Sequence, residues 1–191
     1  MILFINACVR AGSRTKRLAD ALIGRLDGPV TEIRLSEMRF PVMDEATLNR
    51  RDRLLETGNL SDSLFGPARQ FAAADRIVVA APYWDLSFPA ALKQYFEQIN
   101  VPGLTFRYTE DGMPQGLCRA GQLFYVTTAG GDYVPEDFGF GYVKSLARNF
   151  YGIPDVRLIR ACGLDRIGAD PERILLDAIR NLDDDLQSTT R

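Results

Sequence analysis

The chain has 191 residues, of which 23 are basic and 25 acidic, so its formal net charge is -2. This length is typical of one domain with a single core, and the balanced, unclustered charge argues against a nucleic-acid partner. The sequence contains no histidine, which excludes Ser-His-Asp and Cys-His machinery and removes the commonest transition-metal ligand. Carboxylates or a bound cofactor would therefore have to carry any chemistry.

Cysteine spacing and hydropathy narrow the class of protein further. Cys8, Cys118 and Cys162 lie far apart and form no C-x-x-C pair, which favours small core residues over a disulfide framework, a metal site or a nucleophile. The N-terminal run MILFI has no basic segment before it, and nowhere do about 18 apolar residues run together. We therefore expect a cytoplasmic, soluble protein without membrane insertion.

Hydrophobic periodicity predicts alternating strands and helices along the chain. Strands are predicted at residues 2–5, 30–35, 76–81, 122–128 and 156–162. Helical patterns lie at residues 18–26, 61–73, 88–99, 138–150 and 171–186. The last helix has the clearest start, with Asp170 as N-cap and Pro171 at the first helical position. Two longer excursions interrupt this order: residues 40–59, with one short helix, and residues 102–120, with a hairpin turning at Asp111-Gly112.

This alternation predicts an α/β fold with a parallel sheet. Right-handed crossovers place helices on both faces of such a sheet once the strand order reverses, which gives a three-layer sandwich. Five strands suit the flavodoxin-like order 2-1-3-4-5 better than the six-stranded dinucleotide fold. No repeat, linker or low-complexity stretch divides the chain, so we expect a single flavodoxin-like domain over residues 1–191.

Ligands of such sheets bind beyond the carboxyl ends of the strands, near the point where the strand order reverses. The loop after the first strand opens a helix with the residues GSRTKR (12–17), whose hydroxyls, backbone N–H groups and positive charges suit a phosphate. The alternative is that Ser13 merely caps the helix while the basic side chains are solvated. The loop matches neither G-x-x-x-x-G-K-[ST] nor G-x-G-x-x-G.

The loops after the third and fourth strands favour a flat ligand. Pro82 and Pro89 enclose the first of them and favour extended backbone, and the adjacent Tyr83 and Trp84 lie beyond the strand end rather than on a buried stripe. The second, TTAGGDY (127–133), has paired glycines that allow close approach to a ring, although a plain strand-to-helix turn would also use Gly-Gly. A phosphate loop beside two ring loops predicts flavin mononucleotide (FMN), which would supply the redox chemistry itself.

Two segments, APYWDLSFPAALKQYFEQI and GLTFRYTEDGMPQGL, resemble the FMN-dependent NADH-azoreductase and NAD(P)H:quinone oxidoreductase family of the flavodoxin-like superfamily. The loop NACVRAGSRTKRLAD is similar to its phosphate loop, and VTTAGG to its second flavin loop. The resemblance spans about residues 1–165, and TFRYTE is its most specific part. It implies NAD(P)H as electron donor, quinones or similar aromatic acceptors such as azo or nitro compounds, and a homodimer with active sites at the subunit interface.

The resemblance also implies roles for individual residues. The cofactor-binding residues would be Ser13, Arg14, Thr15, Pro82, Tyr83, Trp84, Asp85, Leu86, Thr128, Ala129, Gly130 and Gly131. Phe106 and Tyr133 would line the substrate pocket, and no side chain would be catalytic. Ala7 stands where many members of that family have serine, Asp85 where azoreductases commonly have asparagine, and Ala129 where some members have arginine. A carboxylate at Asp85 would disfavour the anionic reduced flavin. We therefore expect this departure to affect the redox potential and the substrate range more than the identity of the cofactor.

Two other functions suit the same fold. A flavodoxin-type electron carrier would bind FMN without significant NAD(P)H turnover, but such carriers are usually more acidic than this chain. A flavodoxin-like regulatory partner, for instance of a membrane transporter, would use the fold without redox turnover.

Overall fold

Five strands pair in parallel to form the main sheet of the computed structural model, which describes residues 1–187. The strands are β1 (Ile2–Asn6), β2 (Val30–Arg34), β3 (Arg76–Ala80), β4 (Phe106–Tyr108), β5 (Pro114–Gly116), β6 (Gln122–Thr128) and β7 (Asp155–Ala161). The main sheet has the order β2-β1-β3-β6-β7, and β4 and β5 form a separate antiparallel hairpin. The predicted order 2-1-3-4-5 and its parallel pairing are confirmed.

Helices connect these strands. Within residues 1–187 the α-helices are α1 (Arg14–Ile23), α2 (Glu45–Glu56), α3 (Gly66–Ala73), α4 (Ala90–Ile99), α5 (Phe140–Leu146), α6 (Pro171–Arg180) and α7 (Leu182–Gln187). A π-helical turn extends α5 to Gly152, whose φ of +74° ends it, as is typical of a glycine C-cap. None of these helices is long and apolar enough to cross a membrane.

The last helix begins as predicted but does not run unbroken. Oδ1 of Asp170 accepts a hydrogen bond from the backbone N–H of Arg173 at 3.0 Å, and Pro171 occupies the first helical position. The single helix predicted to Leu186 is instead divided at Asn181, which caps α6. Asparagine favours such ends because its side chain competes for backbone hydrogen bonds.

The two faces of the main sheet carry two separate parts of the core. Leu3 and Ile5 of β1 pack on one face, beneath α3, α4 and α5, while Ile2 and Phe4 pack on the other, beneath α1 and α6. Because both faces are covered, the inner strands are continuous apolar runs rather than alternating patterns. The strands are therefore rigid supports for the loops that leave their carboxyl ends.

The two predicted excursions each contain the expected element. In the first, α2 has no fully buried residue, and it is attached to the end of α4 by Arg51, whose guanidinium donates to the carbonyl oxygens of Glu97 and Asn100. In the second, β4 and β5 pair around a turn in which Gly112 has a φ of +77°. This confirms the hairpin predicted at Asp111-Gly112.

Two buried tyrosines give a test of the core. Oη of Tyr95 is fully buried without a hydrogen-bond partner in the part of the chain that the structure describes, whereas Oη of Tyr151 lies 2.7 Å from Oδ1 of Asn100. An unsatisfied buried hydroxyl costs about 1–3 kcal/mol. Tyr95→Phe is therefore expected to raise the free energy of unfolding by about 1 kcal/mol, and Tyr151→Phe to lower it because Asn100 loses its donor. Urea denaturation measures both changes, and a fall in both variants would contradict this account.

Candidate active site

Four loops meet at the carboxyl edge of the main sheet and enclose a cavity of about 250 Å³. Its lining residues are Val9, Arg10, Gly12, Ser13, Arg14, Thr15, Pro82, Tyr83, Trp84, Thr128, Ala129, Gly130, Leu164 and Asp165. The cavity lies where the strand order reverses, because β1 pairs with β2 on one side and with β3 on the other. Open α/β sheets bind their ligands at this position.

The loop after β1 provides an anion-binding helix start. Ser13 is the N-cap of α1, and its Oγ accepts a hydrogen bond from the backbone N–H of Lys16 at 3.3 Å. Thr15 is buried, and its Oγ1 lies 2.6 Å from Oγ1 of Thr128 at the end of β6. The first turn of a helix offers unpaired N–H groups and a partial positive charge, which together suit a phosphate.

The positive side chains of this loop divide into two groups. Arg10 and Arg14 line the cavity. Lys16 and Arg17 instead form ion pairs of 2.7 Å, with Asp20 of α1 and with Glu172 of α6 respectively. Arg14 is also paired, with Asp165 at 2.8 Å, but it lines the cavity. The phosphate role of Arg14 stays a prediction, whereas Lys16 and Arg17 are occupied by ion pairs away from the cavity lining.

The loop after β3 contains a tight turn at its tip. The backbone N–H of Trp84 donates to the carbonyl oxygen of Ser87 at 3.1 Å, and the N–H of Ser87 donates back at 2.7 Å. The central residues Asp85 and Leu86 have φ values of +50° and +66°, which are the positive angles of a type I′ turn. The extended backbone predicted between Pro82 and Pro89 is wrong at this turn, because a proline restricts only its own φ and the residue before it.

This turn holds two aromatic residues beside the cavity. The backbone N–H of Tyr83 donates to the carbonyl oxygen of Thr128 at 3.1 Å, which attaches the loop to the end of β6. Burial raises the pKa of the Tyr83 hydroxyl. Trp84, the only tryptophan of the sequence, remains 41% exposed although it lines the cavity. Its free surface can pack against a planar ring.

The glycine loop after β6 pairs with the loop after β7. Backbone N–H groups of residues 163–165 donate to carbonyl oxygens of residues 129–131 at 2.9 to 3.2 Å. A Cβ atom at Gly130 would lie 2.4 Å from Oδ2 of Asp165, whereas one at Gly131 would meet nothing within 4 Å. A larger residue at position 130 would therefore force the Asp165 side chain to move.

Some predicted site residues lie away from the cavity lining. Asp85, Leu86 and Gly131 belong to its loops but are not among the lining residues. Phe106 is buried in the hairpin, with its ring 5.0 Å from that of Phe150, and Tyr133 is 80% exposed. The substrate-pocket role of Phe106 and Tyr133 stays a prediction.

Sequence reasoning missed Leu164 and Asp165, which line the cavity from the loop after β7. That loop leaves the same carboxyl edge as the other three, so the topology rule alone selects it. The family resemblance ends at about this position and carries no motif there. Arg10 and Val9 were missed because they precede the recognisable helix start.

The thiols of the chain are poor nucleophiles in this structure. Burial raises the pKa of Cys8 and of Cys162, and it raises the pKa of Cys118 to about 12. The thiolate is the reactive form, so these groups are unreactive near neutral pH. Within residues 1–187, no three His, Cys, Asp or Glu side chains are grouped to hold a metal ion.

Fold and cavity together define a flavodoxin-like α/β protein with a site for a phosphorylated, planar ligand. Residues 1–186 match the family model described as flavodoxin-like fold. An FMN-dependent NADH:quinone oxidoreductase of Clostridium beijerinckii is 34% identical over 91% of this chain and 90% of that protein. One of Clostridium perfringens is 30% identical over 93% of each. The chain therefore belongs to the flavodoxin-like fold family and is related within it to the FMN-dependent NADH:quinone oxidoreductases, as predicted.

Other relatives match over a shorter length. The FMN-dependent NADH:quinone oxidoreductase of Coprothermobacter proteolyticus is 44% identical over 58% of this chain, and the chain spans 57% of that relative's length. Among solved structures, an azoreductase from Bacillus anthracis str. Sterne has a TM-score of 0.82 at 22% identity and covers 95% of each chain. An FMN-dependent NADH-azoreductase from Bacillus anthracis str. Ames Ancestor, solved in complex with FMN, has a TM-score of 0.77 at 24% identity over 96% of this chain and 95% of that one. These structures confirm the fold class.

The turn after β3 carries backbone strain that two variants can separate. A left-handed conformation costs a non-glycine residue roughly 1–2 kcal/mol, and Leu86 has a φ of +66°. Leu86→Gly removes both the side chain and the strain, whereas Leu86→Ala removes most of the side chain but keeps the Cβ atom. We expect Leu86→Gly to be more stable than Leu86→Ala by about 1 kcal/mol in chemical denaturation. The opposite ranking would show that the turn is not held in this conformation.

Proposed function

We propose that the chain is an FMN-dependent NAD(P)H oxidoreductase that passes two electrons to quinones or similar aromatic acceptors, such as azo or nitro compounds. The observation that carries the proposal is the cavity itself, in which an anion-binding helix start faces an exposed aromatic wall. Relatives that match over nearly the whole chain are named FMN-dependent NADH:quinone oxidoreductases. The proposal treats residues 1–191 as a single FMN-binding domain.

In this proposal each loop has one part of the cofactor to bind. Ser13, Arg14 and Thr15 hold the phosphate. Pro82, Tyr83, Trp84, Asp85 and Leu86 line the isoalloxazine ring and the ribityl chain, and Thr128, Ala129, Gly130 and Gly131 contact the polar edge of the ring. The 2.6 Å contact between the hydroxyls of Thr15 and Thr128 uses one of their two protons and leaves the other for a ligand oxygen.

When bound, FMN would supply the redox chemistry, which is hydride transfer from the nicotinamide followed by transfer of two electrons to the acceptor. The residues of the chain orient the ring and exclude water from one of its faces, and no side chain is required as an acid or base. The open side of the cavity, where Trp84 is 41% exposed, leaves room for a second planar molecule. NAD(P)H and the acceptor are proposed to use this place in turn, with protons supplied by solvent.

Asp85 is the departure from the relatives that affects chemistry most directly. Aspartate and asparagine both tolerate the left-handed conformation, so the turn at φ +50° accepts either residue. Their difference lies in charge, because a carboxylate near the ring disfavours the anionic reduced flavin. We therefore propose that Asp85 lowers the reduction potential of the bound cofactor, which makes the reduced flavin a stronger reductant.

A homodimer and a cytoplasmic location complete the proposal. Exposed aromatic side chains at the carboxyl edge support an interface there, since large exposed apolar surface marks contact sites. These residues are Trp84, Tyr133 and Phe138.

Steady-state oxidation of NADH and of NADPH, with menadione as acceptor, tests the proposed activity. Turnover is expected to require both FMN and the quinone. Double-reciprocal plots at several menadione concentrations are expected to be parallel, because one substrate leaves before the other binds. A chain that binds FMN but oxidises neither nucleotide would contradict the proposal and favour an electron carrier.

A chain that binds no FMN would contradict the cofactor as well and favour a regulatory partner. Heat-denatured protein with the same FMN concentration is the control, since free flavin reacts slowly with reduced nicotinamides. The comparison of NADH with NADPH also decides which donor is preferred.

A further inference from the structure

The cavity holds a carboxylate next to the arginine that is proposed to bind phosphate. We propose that Asp165 competes with the FMN phosphate for Arg14, so that this ion pair weakens binding of phosphorylated ligands relative to unphosphorylated ones. The inference rests on the proposed FMN site and adds a residue that determines its ligand preference. Asp165 lies outside the motifs that identify the family.

The ion pair spans the cavity from α1 to the loop after β7. Nη2 of Arg14 lies 2.8 Å from Oδ1 of Asp165, and both residues are among the cavity lining. Nη1 of Arg14 points toward the carbonyl oxygen of Leu164 at 3.5 Å. The guanidinium therefore already has an anionic partner on the side of the cavity that faces β7.

Backbone hydrogen bonds hold the segment that carries this carboxylate beside the glycine loop. The N–H of Asp165 donates to the carbonyl oxygen of Gly130 at 2.9 Å, and the N–H of Leu164 donates to that of Ala129 at 3.2 Å. The side chain lies so close above Gly130 that a Cβ atom there would be 2.4 Å from Oδ2. Glycine at position 130 therefore makes room for the carboxylate of Asp165.

Two neighbouring arginines already have carboxylate partners of their own. Arg166 pairs with Asp132 at 2.7 Å, and Arg17 pairs with Glu172 at 2.7 Å. Arg10 lines the cavity and adds positive charge. Arg14 is the cation that Asp165 holds in the cavity. An anion that enters the cavity therefore has to compete with Asp165 for Arg14.

The ion pair is weak enough to exchange. The side chains of Arg14 and Asp165 are 32% and 64% exposed, and exposed pairs contribute little because solvent and salt screen them. A phosphate carries more charge than a carboxylate and accepts two parallel hydrogen bonds from a guanidinium. Phosphate therefore displaces Asp165 from Arg14, but its affinity is reduced by the lost pair and by repulsion from the carboxylate.

Comparison of FMN with riboflavin isolates the contribution of the phosphate group to binding affinity, because the two ligands share the ring and the ribityl chain. Flavin fluorescence titrations at low ionic strength give both dissociation constants for the wild type and for Asp165→Asn. We expect Asp165→Asn to bind FMN roughly two- to fivefold more tightly and to leave the riboflavin dissociation constant unchanged. The gain should shrink as salt is added.

Asp132→Asn is the matched control, because it removes a carboxylate from the neighbouring ion pair with Arg166, and it should leave the ratio of the two constants unchanged. In an Arg14→Gln background, Asp165→Asn should give a smaller gain, since the competing partner is gone. Urea denaturation of each variant confirms that it is folded. If Asp165→Asn is unstable, Asp165→Ser makes the same comparison without the charge.

Two results would overturn the inference while leaving the proposed function intact. In one, wild-type protein binds FMN but Asp165→Asn leaves both dissociation constants unchanged. In the other, Asp165→Asn weakens both ligands equally, which would mean that the carboxylate accepts hydrogen bonds from the ribityl hydroxyls. Wild-type protein that binds neither flavin would instead overturn the proposed function, and the inference with it.

Discussion

The pairing of β1 with β2 on one side and with β3 on the other is the constraint on which the candidate site depends. Because the strand order reverses at β1, the connection after β1 leads to one face of the sheet and the connection after β3 to the opposite face. The two loops therefore separate at the carboxyl edge and leave a crevice. The 2.6 Å contact between Thr15 and Thr128 and the 3.1 Å hydrogen bond from Tyr83 to Thr128 connect both loops to β6.

The loops of the site leave a buried parallel sheet, and one of them contains an unfavourable backbone conformation. The type I′ turn at Asp85 and Leu86 has positive φ at both positions, and it is held from outside by the hydroxyl of Ser87, which donates to the carbonyl oxygen of Phe138 at 2.6 Å. Strained backbone of this kind persists where surrounding contacts determine it, often at functional sites. Here it projects Trp84 beside the cavity.

Most of the fold could be predicted from the sequence, because continuous β-branched runs and the Asp170-Pro171 cap are local signals. The turn at residues 84–87 could not, since two prolines restrict their immediate neighbours and leave the residues between them free. The Arg14–Asp165 pair joins residues 151 positions apart, and no local pattern reports such a contact. The family resemblance identified the residues around Ser13 and Tyr83, but the loop after β7 required the topology.

Hydrogen exchange followed by mass spectrometry, with and without FMN, tests most directly whether these loops form the cofactor site. We expect slower exchange of backbone amides in residues 10–16, 83–87 and 129–132 when FMN is added. Residues 24–29 and 74–76, at the opposite edge of the sheet, should exchange at an unchanged rate. Protection confined to other segments, or none at saturating FMN, would contradict the account.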